Sequence, residues 1–416
     1  MMVPEPPLPE SWAAALPALA ARWRPTLAGR RLLFVHNDIG YFLSHRLPVA
    51  QAAIAAGAEV QLAAPPGAGE GPAAALAAQG IDLVPLALVR RRMNPLGEAG
   101  TVAALARLYR RLRPELAHHV TIKPVLYGGL AARAAGVPAV VAAVPGRGTV
   151  FTRQGRAAAV LRAGVRQAYR RALAHPNGQV IFQNPDDLAY FVDTGLLGAE
   201  RAVLIRGSGV DPAEFYPAPP AARSGEPALV LFAARMLWDK GVAGYVEAAR
   251  RLRAEGVQAR FVLCGEPDAG NPGAVPVAQL QAWHAEGAVE WLGRRDDMPA
   301  LLRQAQVVCL PSAYGEGVPK ILIEAAASGV AIVTTDTPGC REIVQHGHNG
   351  LLVPPKDTPA LVAALAALLA DPARCAQFGA AGRARVLAQF ALPQVVAQTL
   401  ALYARLLTPG GGLRRD

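Results

Sequence analysis

Cysteine and lysine are scarce in this 416-residue sequence, with 4 of each. The cysteines, Cys264, Cys309, Cys340 and Cys375, are far apart, all in the second half, with no Cys-x-x-Cys pair. That argues against a disulfide framework or a zinc site and favours the reducing cytoplasm. No apolar run approaches the ~20 residues needed to span a bilayer. Residues 12–20 lack the basic start and unbroken apolar core of a secretory signal, since acidic residues precede them and Pro17 interrupts them. No Gly-x-Gly-x-x-Gly follows the first strand-like run, where Gly40 stands alone, so nicotinamide or flavin binding there is disfavoured. RNP-type aromatics, zinc fingers and helix-turn-helix signatures are missing, which counts against nucleic acid as a partner. The 41 Gly and 36 Pro show no period, and collagen-like and repeat architectures are excluded.

What is present is a large apolar fraction, 52%, arranged in an α/β rhythm. Continuous apolar runs at residues 31–36, 59–64, 83–87, 116–120, 139–144, 179–183 and 202–205 alternate with Ala/Leu-rich helical patterns. Such strands belong to parallel sheets covered on both faces. Residues 207–227, with five Pro and three Gly, read as a linker. The rhythm restarts at 229–233, 260–264, 289–292, 307–310, 331–334 and 350–353. The expected fold is α/β, two doubly wound Rossmann-like domains facing across a cleft. An extension over 1–29, domains over 30–206 and 228–385, and a C-terminal helix and tail over 386–416 complete the division. That last helix could pack on either domain.

Charge is unevenly placed. Residues 1–205 carry 22 Lys+Arg against 12 Asp+Glu, a net of +10, whereas the remainder carries 20 against 19. A one-sided field suggests an anionic partner for the first half: nucleic acid, an anionic membrane surface or a phosphorylated substrate. An Arg-rich coding bias is the alternative, since Arg supplies 38 of the 42 basic residues. The stripe Arg162, Arg166 and Arg170, with Arg153, Arg156 and Arg171 around it, fits a basic amphipathic helix on a membrane or a solvated face. The triplet Arg90-Arg91-Arg92 adds to the same field.

Ligands of doubly wound sheets sit at the carboxyl ends of the strands, so the residues just after each run are the informative ones. After the first strand, His45 and Arg46 open a helix in "HNDIGYFLSHRLP" and offer an anion site. After the fourth, "HHVTIKPVLYGG" places His118, His119 and Lys123, with Lys123 ahead of a helix as a phosphate contact. In the second domain, Arg235 and Lys240 flank the loop after its first strand and could clamp a diphosphate, one as a fork and the other as a point charge. The segment "PSAYGEGVPKILIEAAASG" follows the run 307–310. Gly315 and Gly317 admit close backbone approach, and Pro319 suits a first helical position with Lys320 after it. Glu316 and Glu324, with seven residues between, supply carboxylates suited to sugar hydroxyls.

The order Arg-x4-Lys … Glu-Gly-Val-Pro-Lys-Ile-Leu-Ile-Glu-Ala resembles the retaining glycosyltransferases of family 4, which have the GT-B fold. The resemblance covers nearly the whole chain after residue 30. It implies that Arg235 and Lys240 hold a nucleotide diphosphate, Glu316 the donor sugar and Glu324 the ribose hydroxyls, with Gly317, Val318, Pro319 and Lys320 against sugar and phosphate. "NDIGYFLSHRLP", "TIKPVLYGGLAARAAGVP" and "RGSGVD" resemble more narrowly the transferases that add N-acetylhexosamine-type sugars to undecaprenyl-diphosphate-linked acceptors. Gly40, His45, Arg46, His119 and Lys123 then become acceptor contacts and His118 a catalytic candidate. Many members carry a Gly-Gly pair in the first loop and His-x-His after the fourth strand. Here Gly40 is single and Val120 takes the second His position.

The expected reaction moves a sugar from a nucleotide-sugar donor, a UDP-sugar by preference, to a hydroxyl acceptor with anomeric retention. Protein cations and helix N–H groups stabilise the leaving diphosphate. No Asp-x-Asp is present, and no metal or other cofactor is expected. The expected location is the cytoplasm, with peripheral attachment to the inner face of the plasma membrane as a further option. The alternatives are a nucleotide-sugar 2-epimerase or phosphorylase of the same architecture and a non-catalytic sugar-nucleotide-binding subunit.

Overall fold

The computed structural model describes residues 10–66, 71–86, 88, 95–146, 156–218, 227–268, 270–313, 315 and 317–408. The first sheet has β1 (Arg31–Val35), β2 (Glu59–Ala64), β3 (Asp82–Pro85), β4 (Leu116–Val120), β5 (Ala139–Val144), β6 (Gly178–Phe182) and β7 (Ala202–Leu204), in spatial order β3-β2-β1-β4-β5-β6-β7. The second has β8 (Ala228–Ala233), β9 (Ala259–Cys264), β10 (Glu290–Trp291), β11 (Ala305–Leu310), β12 (Ala331–Thr335) and β13 (Leu351–Val353), in order β10-β9-β8-β11-β12-β13. Every pairing between these strands is parallel. The central strands are buried almost end to end, which is why they read as continuous apolar runs.

The strand order reverses between β1 and β4 in one sheet and between β8 and β11 in the other. At such a switch point the loops after the two central strands part to opposite faces and leave a crevice at the strands' carboxyl ends. The motifs that stood out in the sequence follow these four strands.

The chain divides into two compact units, Met1–Gly209 with Leu392–Asp416, and Val210–Ala391. This differs from the expected division at four places. The supposed extension contains a helix, Trp12–Leu27, whose Ala15, Leu19 and Leu27 are fully buried in the first unit's core. The helix packs against Leu47–Ala55 and Leu392–Leu407. The boundary at 385 falls inside the helix Pro372–Gln389. The C-terminal helix Leu392–Leu407 joins the first unit, where Leu392, Val395, Val396, Leu400, Leu402, Tyr403 and Leu406 enter the same apolar cluster as β1.

Of the supposed linker, residues 210–218 are described and belong to the second unit. Val210 N–H donates to the Phe390 carbonyl at 3.1 Å. The Arg383 guanidinium donates to the carbonyls of Pro212 at 3.1 Å, Phe215 at 2.5 Å and Ala327 at 2.8 Å. One planar cation thus satisfies backbone groups that a Pro-rich segment cannot pair in a ladder. Arg383→Ala should lower stability by about 3 kcal/mol, read as a lower urea midpoint with unchanged slope. An unchanged midpoint would show that these carbonyls do not depend on Arg383.

Candidate functional site

In the second unit, two loops meet at the β8/β11 switch point. After β8 the backbone passes Arg235 and turns through a short 3-10 segment, Trp238–Lys240, into the helix Val242–Ala254. Gly241, at φ 82°, allows the turn, and a Cβ there would lie 2.1 Å from the Pro311 carbonyl oxygen. That close approach joins the two loops, and Ala313 N–H donates to the Asp239 carbonyl at 2.9 Å. Ser312 Oγ donates to the same carbonyl at 3.3 Å. The β11 loop then leads through Gly317 and Val318 into the helix Lys320–Ala327. Lys320, not Pro319, is its first residue, because Pro319 holds an extended ψ of 124° and serves as the N-cap. The first turn leaves backbone N–H groups without helical acceptors and gives the site a positive end.

Arg235 is half-exposed and bonded through a guanidinium N–H to Asp268 Oδ2 at 2.7 Å. Asp268 follows β9 and was absent from the sequence reading, although its place after a strand terminus was visible. Glu324 is 8% exposed, and its Oε1 lies 3.1 Å from Lys320 Nζ. Burial raises the Glu324 pKa above the usual carboxylate range, with Lys320 pulling it back down and Glu214 adding to the rise. Glu316 lies outside the described residues, as do Arg90, Arg91, Arg92 and Arg153 and the side chains of Arg156 and Arg162.

In the first unit, Gly40 and His45 lie in the helix Ile39–His45, capped by Asp38, which accepts from Tyr41 N–H at 2.9 Å. His45 closes this helix rather than opening the next, and stacks on Tyr41 with ring centroids 4.0 Å apart. Arg46 is the junction before the helix Leu47–Ala55 and is 3% exposed. His118 and His119 are adjacent in β4, so they face opposite sides of the sheet. His118 bonds through Nδ1 to the Tyr403 hydroxyl of the C-terminal helix. His119 bonds through Nε2 to the Tyr109 hydroxyl at 2.9 Å, on the side of the helix Pro95–Leu112. Burial depresses both pKa values, His119 to about 3. For His118, the charge of Arg46 adds to the effect of burial. Both rings are therefore neutral near pH 7.

Arg46 thus follows β1 and His118 lies in β4, the two strands of the switch point, with the Arg46 charge felt at His118, and His119 faces the other side of the sheet. Lys123 differs from expectation as well. Its ammonium lies 3.0 Å from Glu98 Oε1, and the turn that follows, Pro124–Gly128, is π-helical. Thr121, between the histidines and this turn, holds φ 75°, a strained value for a β-branched residue. The stripe expected to face a membrane is partly committed elsewhere. Arg166 and Arg170 donate to the Thr194 and Gly195 carbonyls at the end of the helix Pro185–Asp193. These bonds satisfy the last turn of that helix.

Comparison with known proteins places this architecture. Residues 219–385 match the family model described as glycosyl transferases group 1, and residues 31–184 that described as glycosyl transferase 4-like. The chain is 30% identical over 302 residues to a Campylobacter jejuni N,N'-diacetylbacillosaminyl-diphospho-undecaprenol alpha-1,3-N-acetylgalactosaminyltransferase, covering 70% of this chain and 77% of that protein. In fold it is similar to Anabaena Alr3699/HepE solved with UDP, at a TM-score of 0.71, 18% identity and coverage of 89% of this chain and 98% of that one. It is also similar to sucrose-phosphate synthase from Thermosynechococcus elongatus, at a TM-score of 0.73, 21% identity and coverage of 91% and 99%. The chain belongs to the family 4 glycosyltransferases and has their GT-B fold of two Rossmann-like domains. It is a glycosyltransferase.

The raised Glu324 pKa has a consequence for stability. The folded chain holds this proton more tightly than the unfolded chain. The resulting stability is present below the ordinary carboxylate pKa and is lost as pH rises through the raised value. Glu324→Gln should therefore unfold at a higher temperature than wild type near pH 8, the gap closing toward about pH 4. A gap that does not close on acidification would contradict this account of the carboxylate.

Proposed function

We propose that this chain transfers an N-acetylhexosamine-type sugar, with anomeric retention, from a nucleotide diphosphate sugar to a hydroxyl of a polyprenyl-diphosphate-linked glycan in surface polysaccharide assembly. The observation that carries the reading is the second unit's switch point. Arg235, Lys240 and the first turn of the helix Lys320–Ala327 follow β8 and β11, the two strands between which the order reverses. A diphosphate leaving group needs such fixed positive charge as its bond to the sugar breaks. Glu324, buried and acceptor-rich, suits the ribose hydroxyls, and Glu316 the donor sugar.

The Campylobacter relative is named for N-acetylgalactosaminyl transfer to an undecaprenol-diphosphate glycan, which supports the sugar and acceptor classes. HepE was solved with UDP and with UDP-glucose, which supports a UDP-sugar donor. The diphosphate charge is met by Arg235 and Lys240 in place of a metal, in keeping with the missing Asp-x-Asp. The acceptor belongs to the first, basic unit. Four free, buried cysteines support a cytoplasmic location, at the inner membrane face where a lipid-linked acceptor would be met.

Thermal unfolding with UDP, GDP, ADP and CMP, each in EDTA, tests the donor class. A nucleotide at a hundred times its Kd should add about 2.7 kcal/mol, for UDP above all, and less in Glu324→Ala. A shift that vanishes in EDTA would remove the metal-free reading. Lys240→Ala should lower turnover by roughly 10²-fold, measured on product disaccharide. An epimerised nucleotide sugar, or binding with no product on any acceptor, would replace glycosyl transfer to lipid by one of the other two readings.

A further inference from the structure

Most cations expected to bind ligand are engaged in this structure. Arg235 is paired with Asp268, Lys320 with Glu324 and Lys123 with Glu98. Arg46 differs from them. It is 3% exposed, and its guanidinium has no hydrogen bond or ion pair among the described residues, with Nε fully enclosed. Only Nε is fully enclosed, so the terminal nitrogens keep the slight exposure through which a ligand can reach them; a charge so nearly withdrawn from water without a counter-charge is costly.

The neighbouring His118 is also incomplete. It is 1% exposed, and its Nε2 is enclosed without a partner. Its tautomer follows from counting protons. Nδ1 meets the Tyr403 hydroxyl, which has no other partner among the described residues. Burial keeps that phenol protonated. If Nδ1 carried the hydrogen, the phenolic hydrogen would be left without an acceptor in the interior. The satisfied arrangement has Tyr403 O–H donating to Nδ1, which puts the ring hydrogen on Nε2. Arg46 and His118 therefore both present donors, at the β1/β4 switch point, and no described acceptor meets them.

We propose that Arg46 and the Nε2–H of His118, oriented by Tyr403, form an oxyanion subsite that takes a phosphate group of the acceptor. The assignment rests on the reading above for the identity of the acceptor, but the subsite itself can be tested without turnover. A donor-only pair selects an acceptor-only ligand, and a permanent cation selects a charged one. The surplus of basic residues in residues 1–205 attracts the same class of ligand.

The test uses the full chain with Arg235→Ala and Lys240→Ala combined, which removes the second unit's clamp, in phosphate-free chloride buffer. Inorganic pyrophosphate should raise its unfolding temperature, and adding Arg46→Met should abolish the rise. A rise that survives Arg46→Met overturns the subsite. A short-chain prenyl diphosphate should act like pyrophosphate; a response to pyrophosphate alone would overturn the assignment to the acceptor. The second measurement needs no ligand. Arg46→Met in the otherwise wild-type chain should unfold at the same temperature or a few degrees higher, since a buried unpaired charge is replaced by an apolar chain. A fall of several degrees would mean that the protein itself holds the guanidinium, and the proposal would fail. If pyrophosphate responds as expected while no glycosyl transfer is found, the subsite stands and the reading of the reaction fails.

Discussion

The reversal of strand order at the middle of each sheet is the constraint on which the remaining structure depends. Between β1 and β4, and between β8 and β11, the connections diverge, and strand ends and helix starts are left uncovered by the same connection. Several of the buried polar groups in this otherwise apolar chain are gathered near these two places. His36, Arg46, His118 and His119 lie in or just after β1 and β4, and Ser312 and Glu324 follow β11. Polar groups are costly to bury, and those near a switch point stand where a ligand can meet them.

The two units manage positive charge differently. In the second, Arg235 and Lys320 each face a carboxylate of the same unit. The pair made by half-exposed Arg235 contributes little stability, but it presets the side-chain direction and is exchanged for a stronger anion at small cost. In the first, Lys123 is paired in the same way, whereas Arg46 is enclosed without a carboxylate. One unit holds its charge in a form that tolerates an empty site, and the other concentrates it in a residue whose environment is complete only with an anion present.

The strands were legible because a doubly covered parallel strand is a continuous apolar run, as in "LLFV" and "LVLFA". The second unit's loops were legible for a similar reason. Arg235, Lys240 and the segment through Glu324 are close in sequence to the strand ends that position them. What escaped notice came from distant segments. Tyr403 lies 285 residues from His118, and nothing local marks it as a partner. Asp268 and Glu98 neutralise cations that looked available, and a charge count cannot show such pairing. The opposite facing of His118 and His119 followed from strand alternation alone. A helical period shows which arginines of the basic stripe share a face and not what that face meets. Arg166 and Arg170 meet the carbonyl end of a neighbouring helix.

The first unit is discontinuous, closed by a helix that begins at Leu392. Because synthesis runs from the N-terminus, every residue of the second unit is made before that helix. The second unit can then settle first, although its sequence comes later, while the apolar cluster around Leu32, Phe34 and Leu62 waits for Leu400, Tyr403 and Leu406. His118 gains its hydroxyl partner only once Tyr403 has been made, after every residue of the second unit. A chain that stops between Ala391 and Tyr403 would therefore have all of the second unit and an unfinished first one, so that completion of the histidine site reports that synthesis has passed the second unit.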